Sequence, residues 1–102
     1  MPTKNYQDDL LKRLAQPSYA ATYLKASFDE TQRDGNMEAF QLALRNLIDT
    51  HGNVQDIAGQ AGITRQHLHS LLTTADANPT LQTLTAILDA VGLTLDFTPA
   101  HS

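Results

Sequence analysis

Between residues 54 and 73 the sequence VQDIAGQAGITRQHLHSLLT sets small and apolar residues at fixed intervals with polar ones between them. Thr64, Arg65, Gln66, His67, His69 and Ser70 are all side chains able to address a nucleic acid. Glutamine can bond adenine in bidentate fashion, arginine can bond guanine, and Ser, Thr and His can reach bases or phosphates. Asp56 is the only carboxylate in the stretch, so the polar run is almost free of groups that repel a phosphate. His67 and His69 make the charge of this run depend on pH, and DNA affinity is expected to rise on acidification. The bland reading of the same residues is a small helical hairpin that uses Ala and Gly for packing alone.

That run can read a duplex only if a helix presents it. Ala58 is small enough for two short helices to cross closely, Gly62 permits a positive φ in the turn, and Ile63 plugs the turn into the core. Leu68 and Leu71 anchor the second helix, expected from about 64 to 73. The spacing therefore predicts a helix-turn-helix, with Val54, Ile57, Ala58 and Ala61 inward on its first helix and Leu68, Leu71 and Leu72 inward on its second. A free helix N-terminus at Thr64 also offers N–H groups to a phosphate.

The rest of the chain reads as helix almost throughout. Tyr6, Leu10, Leu11 and Leu14 share one face of a short first helix that Pro17 closes. Ser18 is expected to cap a second helix running to about residue 33, with Ala20, Leu24 and Phe28 on one stripe and Tyr19, Tyr23 and Ala26 on the next. A third carries Met37, Phe40, Leu44, Leu47 and Ile48, with Gly52 as its left-handed stop and Asn53 as the following N-cap. After a loop at 76–79, Thr80 is expected to cap a last helix whose face is Leu81, Leu84, Leu88 and Val91, with Gly92 ending it.

The tail differs in kind. Residues 93–98, LTLDFT, alternate apolar and polar strictly, a strand pattern that Pro99 ends. A lone strand leaves its backbone groups unpaired. The economical partner is the same segment of a second copy, paired antiparallel across a two-fold axis through Leu93, Leu95 and Phe97. A strand edge on another protein is the alternative.

The charge balance limits what such a face can do. The 102 residues carry seven Lys+Arg and eleven Asp+Glu, for a net charge of −4. Residues 51–102 hold four acidic groups and one permanent cation, Arg65. A basic coat is excluded, so DNA contact must be local and is expected to show a shallow salt dependence. Zero cysteines exclude a disulfide framework and thiol chemistry. No apolar run reaches the ~18 residues of a membrane span, and the N-terminus lacks a signal-peptide core, so a cytoplasmic location is expected.

Catalysis has little to work with. His67 and His69 are two apart and fall on different helix faces, and His51 and His101 have no ligand neighbours in sequence. Glu30 and Glu38 are the only glutamates and sit in no paired-carboxylate context. Gly59-Gln60-Ala61-Gly62 is not a dinucleotide loop, and neither G-x-S-x-G nor a P-loop occurs. No enzyme activity, catalytic residue, metal or cofactor is expected.

Several blocks of the chain carry a resemblance. They are Tyr19-Ala20-Ala21-Thr22-Tyr23-Leu24-Lys25-Ala26, then Ala39-Phe40-Gln41-Leu42-Ala43-Leu44-Arg45. Asn78-Pro79-Thr80-Leu81-Gln82-Thr83-Leu84 and Gly92-Leu93-Thr94-Leu95 follow. Over about residues 6–99 the sequence resembles the addiction-module antidote proteins, a group of lambda-repressor-like (Xre/HigA-type) antitoxins. The resemblance implies a DNA-binding domain of five or six helices that neutralises a small RelE/HigB-like ribonuclease toxin and represses its own operon. It also places Thr64, Arg65, Gln66, His67 and Ser70 at recognition-helix positions.

The expected architecture is all-α, a lambda-repressor-like helix-turn-helix domain with two extra N-terminal helices and one C-terminal strand pairing in a dimer. Its parts are accessory helices in 1–34, the DNA-binding domain in 35–92, and the strand and tail in 93–102. Tyr6, Tyr19 and Tyr23 on the accessory helices are candidate anchors for a basic toxin, or simply cover the core. The expected partners are a double-stranded operator, the toxin and a second copy, with no membrane. The alternatives are a stand-alone phage-type repressor and a protein-interaction module whose helix-turn-helix does not bind DNA.

Overall fold

The computed structural model describes residues 6–75 and 77–100; residues 1–5, Asp76 of the expected loop, His101 and Ser102 lie outside the described residues. Six helices follow in order: α1 (Tyr6–Leu14), α2 (Pro17–Asp34), α3 (Glu38–His51), α4 (Val54–Ala61), α5 (Arg65–Thr73) and α6 (Leu81–Ala90). The fold is all-helical over the described residues. No helix there is long and apolar enough to cross a membrane.

The centre is α3. It packs against α1, α2, α4 and α5, while α6 packs on α4. The sequence of α3 explains its place: Phe40, Ala43, Leu44, Leu47 and Ile48 are all buried, Leu47 and Ile48 completely. One apolar cluster joins them to Leu14 of α1, Ala20 and Leu24 of α2, Ile57 and Ala58 of α4, Leu68 and Leu72 of α5, and Ile87 and Leu88 of α6. Burying a Leu or Ile side chain of this kind stabilises by about 1.5–3 kcal/mol.

Three buried polar side chains bind the elements together. Asn46 of α3 donates from Nδ2 to the Tyr23 hydroxyl of α2 (2.9 Å) and accepts at Oδ1 from the Gln7 amide of α1 (2.8 Å). Thr31 Oγ1 near the end of α2 accepts from the Phe40 N–H in the first turn of α3 (3.3 Å). Gln41 donates to two carbonyls at the end of α5, described below. Among the described residues no buried side-chain polar atom lacks a partner.

The helix ends follow local chemistry, with corrections. Asn53 and Thr80 accept from the backbone N–H groups of Asp56 (2.9 Å) and Thr83 (3.1 Å), as expected of N-caps. Ser18 does not cap α2: the helix starts at Pro17, whose missing N–H is no loss at the first position, so Ser18 lies inside the first turn. Gly52 ends α3 at φ 153, ψ −127, a mirror-extended conformation rather than the left-handed helical one. Met37 sits at the N-cap of α3 instead of within it.

Some apolar faces also turn differently. Leu81 is 65% exposed, and Ile87, which the expected α6 face lacked, is buried with Leu88 and Val91. Tyr6 is 93% exposed, off the inward side of α1. On α2, Tyr19 and Ala26 are exposed while Tyr23 turns inward. Phe28 is partly exposed and meets the Phe40 ring edge-on at 5.8 Å. Past α6, the backbone N–H of Leu93 reaches the Leu88 carbonyl (2.8 Å), and residues 93–100 continue without forming a ladder in the single chain.

Asn46→Ala leaves the Tyr23 hydroxyl and the Gln7 amide without their shared partner. It is expected to lower the unfolding free energy by about 1–3 kcal/mol. Urea denaturation followed by circular dichroism measures it; an unchanged midpoint would show that the three-helix bridge contributes nothing.

Candidate functional site

Helices α4 and α5 are joined by Gly62, Ile63 and Thr64. Gly62 takes φ 76, ψ 26, and its N–H closes the end of α4 onto the Gly59 carbonyl. The Ile63 N–H reaches back to Ala58 O at 3.0 Å while its side chain packs on the core. Thr64 then starts α5, its Oγ1 accepting from the His67 N–H at 3.0 Å. The turn thus combines a left-handed residue, an apolar plug and a cap in three consecutive positions.

From beneath, α5 is held by Leu68, fully buried, and Leu72, with Leu71 half-buried. Its far end is fixed from α3. The buried Gln41 amide donates to the carbonyls of Leu71 (3.0 Å) and Thr74 (2.8 Å). Sequence reasoning missed Gln41, because its acceptors are backbone carbonyls about thirty positions away and no side-chain pattern announces them.

All six expected contact residues, Thr64, Arg65, Gln66, His67, His69 and Ser70, are exposed. Arg65, Gln66, His69, Ser70 and Thr73 line one open concavity of about 290 Å³. They fall at successive positions of a single helical stripe, which at 1.5 Å per residue runs about 12 Å. Thr64 and His67 lie outside that concavity, at the amino end of the helix. Thr73 was not among the expected residues, although it stands four positions after His69; its hydroxyl donates to the His69 carbonyl (2.9 Å).

Electrostatically the stripe is simple. It holds one guanidinium and no carboxylate, and no other Lys or Arg occurs in residues 51–102. Elsewhere, Arg13 pairs with Asp9 (3.3 Å) and Lys25 with Asp29 (3.1 Å) on the surfaces of α1 and α2. No group of three His, Asp or Glu side chains suited to a metal occurs among the described residues.

The three tail residues occupy a second surface. Leu93 is half-buried against the core, Leu95 is at the border of exposure, and Phe97 is 81% exposed. Leu93, Thr94 and Leu95 all line a groove against α6, beside Leu81, Thr85 and Ala86; Phe97 lies outside it.

Thr64→Ala removes the cap of α5 and should cost about 1 kcal/mol in thermal or urea unfolding. Gly62→Ala meets no steric obstacle, yet the left-handed backbone should cost about 1 kcal/mol. Stability unchanged by either substitution would contradict the account of the turn. No protein-family model, curated protein or solved structure matches the chain.

Proposed function

We propose that this chain is a sequence-specific double-stranded DNA-binding protein in which α4 and α5 act as a lambda-repressor-like helix-turn-helix. One observation carries the reading: a rigidly seated helix presents Arg65, Gln66, His69 and Ser70 as one exposed stripe without a carboxylate. A helix with its side chains is about 10–12 Å across and enters a major groove about 12 Å wide, with the stripe running along the part that faces the bases. Gln66 is suited to adenine and Arg65 to guanine, while Ser70 and Thr73 can reach base edges or phosphates. The amino end at Thr64, with His67 beside it, faces the phosphate backbone in this arrangement.

One guanidinium per stripe, that of Arg65, makes a monomer a weak binder. The active species is a homodimer joined through Leu93, Leu95 and Phe97, which doubles the contacts and matches a two-fold operator. The family resemblance supports a narrower role, that of an antitoxin neutralising a small basic RelE/HigB-like toxin and repressing its own operon. The exposed Tyr6 and Tyr19 on α1 and α2 favour that role as anchors, and the −4 net charge suits a basic partner. The acidic balance of residues 51–102 favours the competing reading, an interaction module that leaves DNA alone.

Fluorescence anisotropy with duplex from the protein's own promoter separates the two. Arg65→Ala and Gln66→Ala should each weaken specific binding by about 1–3 kcal/mol without loss of helix content. The plot of log K against log [salt] should correspond to fewer than about five neutralised phosphates per dimer. No shift of that duplex by the unmodified protein would hand the case to the interaction module.

A further inference from the structure

Local hydrogen bonds in the tail decide how two copies can meet. The Leu93 N–H is bound to the Leu88 carbonyl, and the Phe97 N–H is bound to Asp96 Oδ1, each at 2.8 Å. Residues of an antiparallel ladder alternate between positions that exchange backbone hydrogen bonds with the partner and positions that do not. Positions 93, 95 and 97 share one parity, and two of their three donors are already committed. The positions left to face a partner backbone are Thr94 and Asp96, whose N–H groups have no bond among the described residues.

Side-chain chemistry then selects the register. Opposed residues of an antiparallel pair lie on the same face, so the apolar set Leu93, Leu95 and Phe97 must oppose itself. An axis through Asp96 would set two carboxylates face to face and put Leu93 opposite Pro99, which cannot continue a strand. An axis through Thr94 would draw in Val91 and Gly92, which are occupied in closing α6. An axis through Leu95 avoids both.

We propose that two copies of this chain pair through residues 93–97 with the two-fold axis on Leu95. Thr94 of each copy exchanges backbone hydrogen bonds with the partner's Asp96. Leu95 meets the partner's Leu95 in a close pair without backbone hydrogen bonds, and Phe97 covers the partner's Leu93. Because Leu93 and Leu95 line the groove against α6, Phe97 closes that groove from the other copy. The Thr94 hydroxyl stands across from the partner's Asp96 carboxylate. This inference rests on the reading that the tail is the dimer contact, and it adds the register and the occupant of the groove.

The chain contains no cysteine, so single introduced cysteines report the register directly. On the axis, Leu95→Cys brings two Cα atoms to about 4.5 Å, within disulfide reach. Thr94→Cys alone, and Asp96→Cys alone, leave like residues diagonal at about 7–8 Å, which is too far. Under mild oxidation, Leu95→Cys should give on the order of tenfold more covalent dimer than either. An equimolar mixture of Thr94→Cys and Asp96→Cys should cross-link as the mixed pair. If Asp96→Cys alone links best, or the mixture stays unlinked while sedimentation reports a dimer, the register is overturned and the dimer stands. If the unmodified protein sediments as a monomer at tens of micromolar, the dimer reading itself fails, independently of any result with DNA.

Discussion

The enclosure of α3 governs the molecule. Four of the other helices pack around its 14 residues, so the buried polar side chains on it must find partners inside the protein. Asn46 finds α1 and α2, and Gln41 finds the carboxyl end of α5. Each bond adds only about 0.5–1.5 kcal/mol net, whereas an unmet buried partner costs about 1–3 kcal/mol. That asymmetry penalises misplacement more than it rewards the native pose. The apolar contacts therefore supply most of the cohesion, and the polar ones fix where α1, α2 and α5 sit. The seat of α5 on the core is set at its amino end by Ile63 and at its carboxyl end by Gln41.

Local signals were the legible part of the fold. Asn53 and Thr80 were readable as caps because a cap needs only its own neighbours three residues on, whereas Thr64, expected as the first residue of its helix, is in fact its cap. Gly62 was readable because one backbone conformation demands it. Ser18 misled since Pro17 competes for the same helix start and is better suited to its first position. Leu81 and Tyr6 misled for another reason: periodicity names a face, but a helix end needs a neighbour to cover it. Leu81 begins a helix that packs on α4 alone, and Ile87 lies deeper along the same helix. Gln41, Asn46 and Thr31 were illegible because their partners are set by tertiary contact. In the candidate site Arg65, Gln66, His69 and Ser70 of the exposed stripe were readable, yet Thr73 and the support from Gln41 were not.

Low charge shapes how such a stripe would act on DNA. With Arg65 as the single guanidinium of the stripe, counterion release there is small, and little non-specific affinity is available to hold the protein on random sequence. Discrimination must come from base-edge hydrogen bonds and from the neutral donors of helix ends and hydroxyls. A binder of this kind gives up strength in exchange for a larger share of readout in its total energy. It depends on two copies acting together more heavily than a basic repressor does.

That dependence places a demand on α4. Reading heads on a two-fold operator stand about 34 Å apart, so in the proposed dimer each α5 would lie about 17 Å from the axis. The subunit measures 49 × 37 × 24 Å, which is large enough for that offset. The route from a tail axis to α5 runs through few contacts: the Leu93 N–H to the end of α6, α6 onto α4, and α4 across Gly62 to α5. Among the described helices α6 packs on α4 alone, so in the proposed dimer the packing of Ile87 and Leu88 against the α4 side of the core would fix the spacing of the two heads. Close packing transmits such a constraint because a buried interface of branched side chains resists small shifts. In the proposed dimer the core would thus do more than hold one subunit together: it would carry the geometry of the pair from the tail to α5.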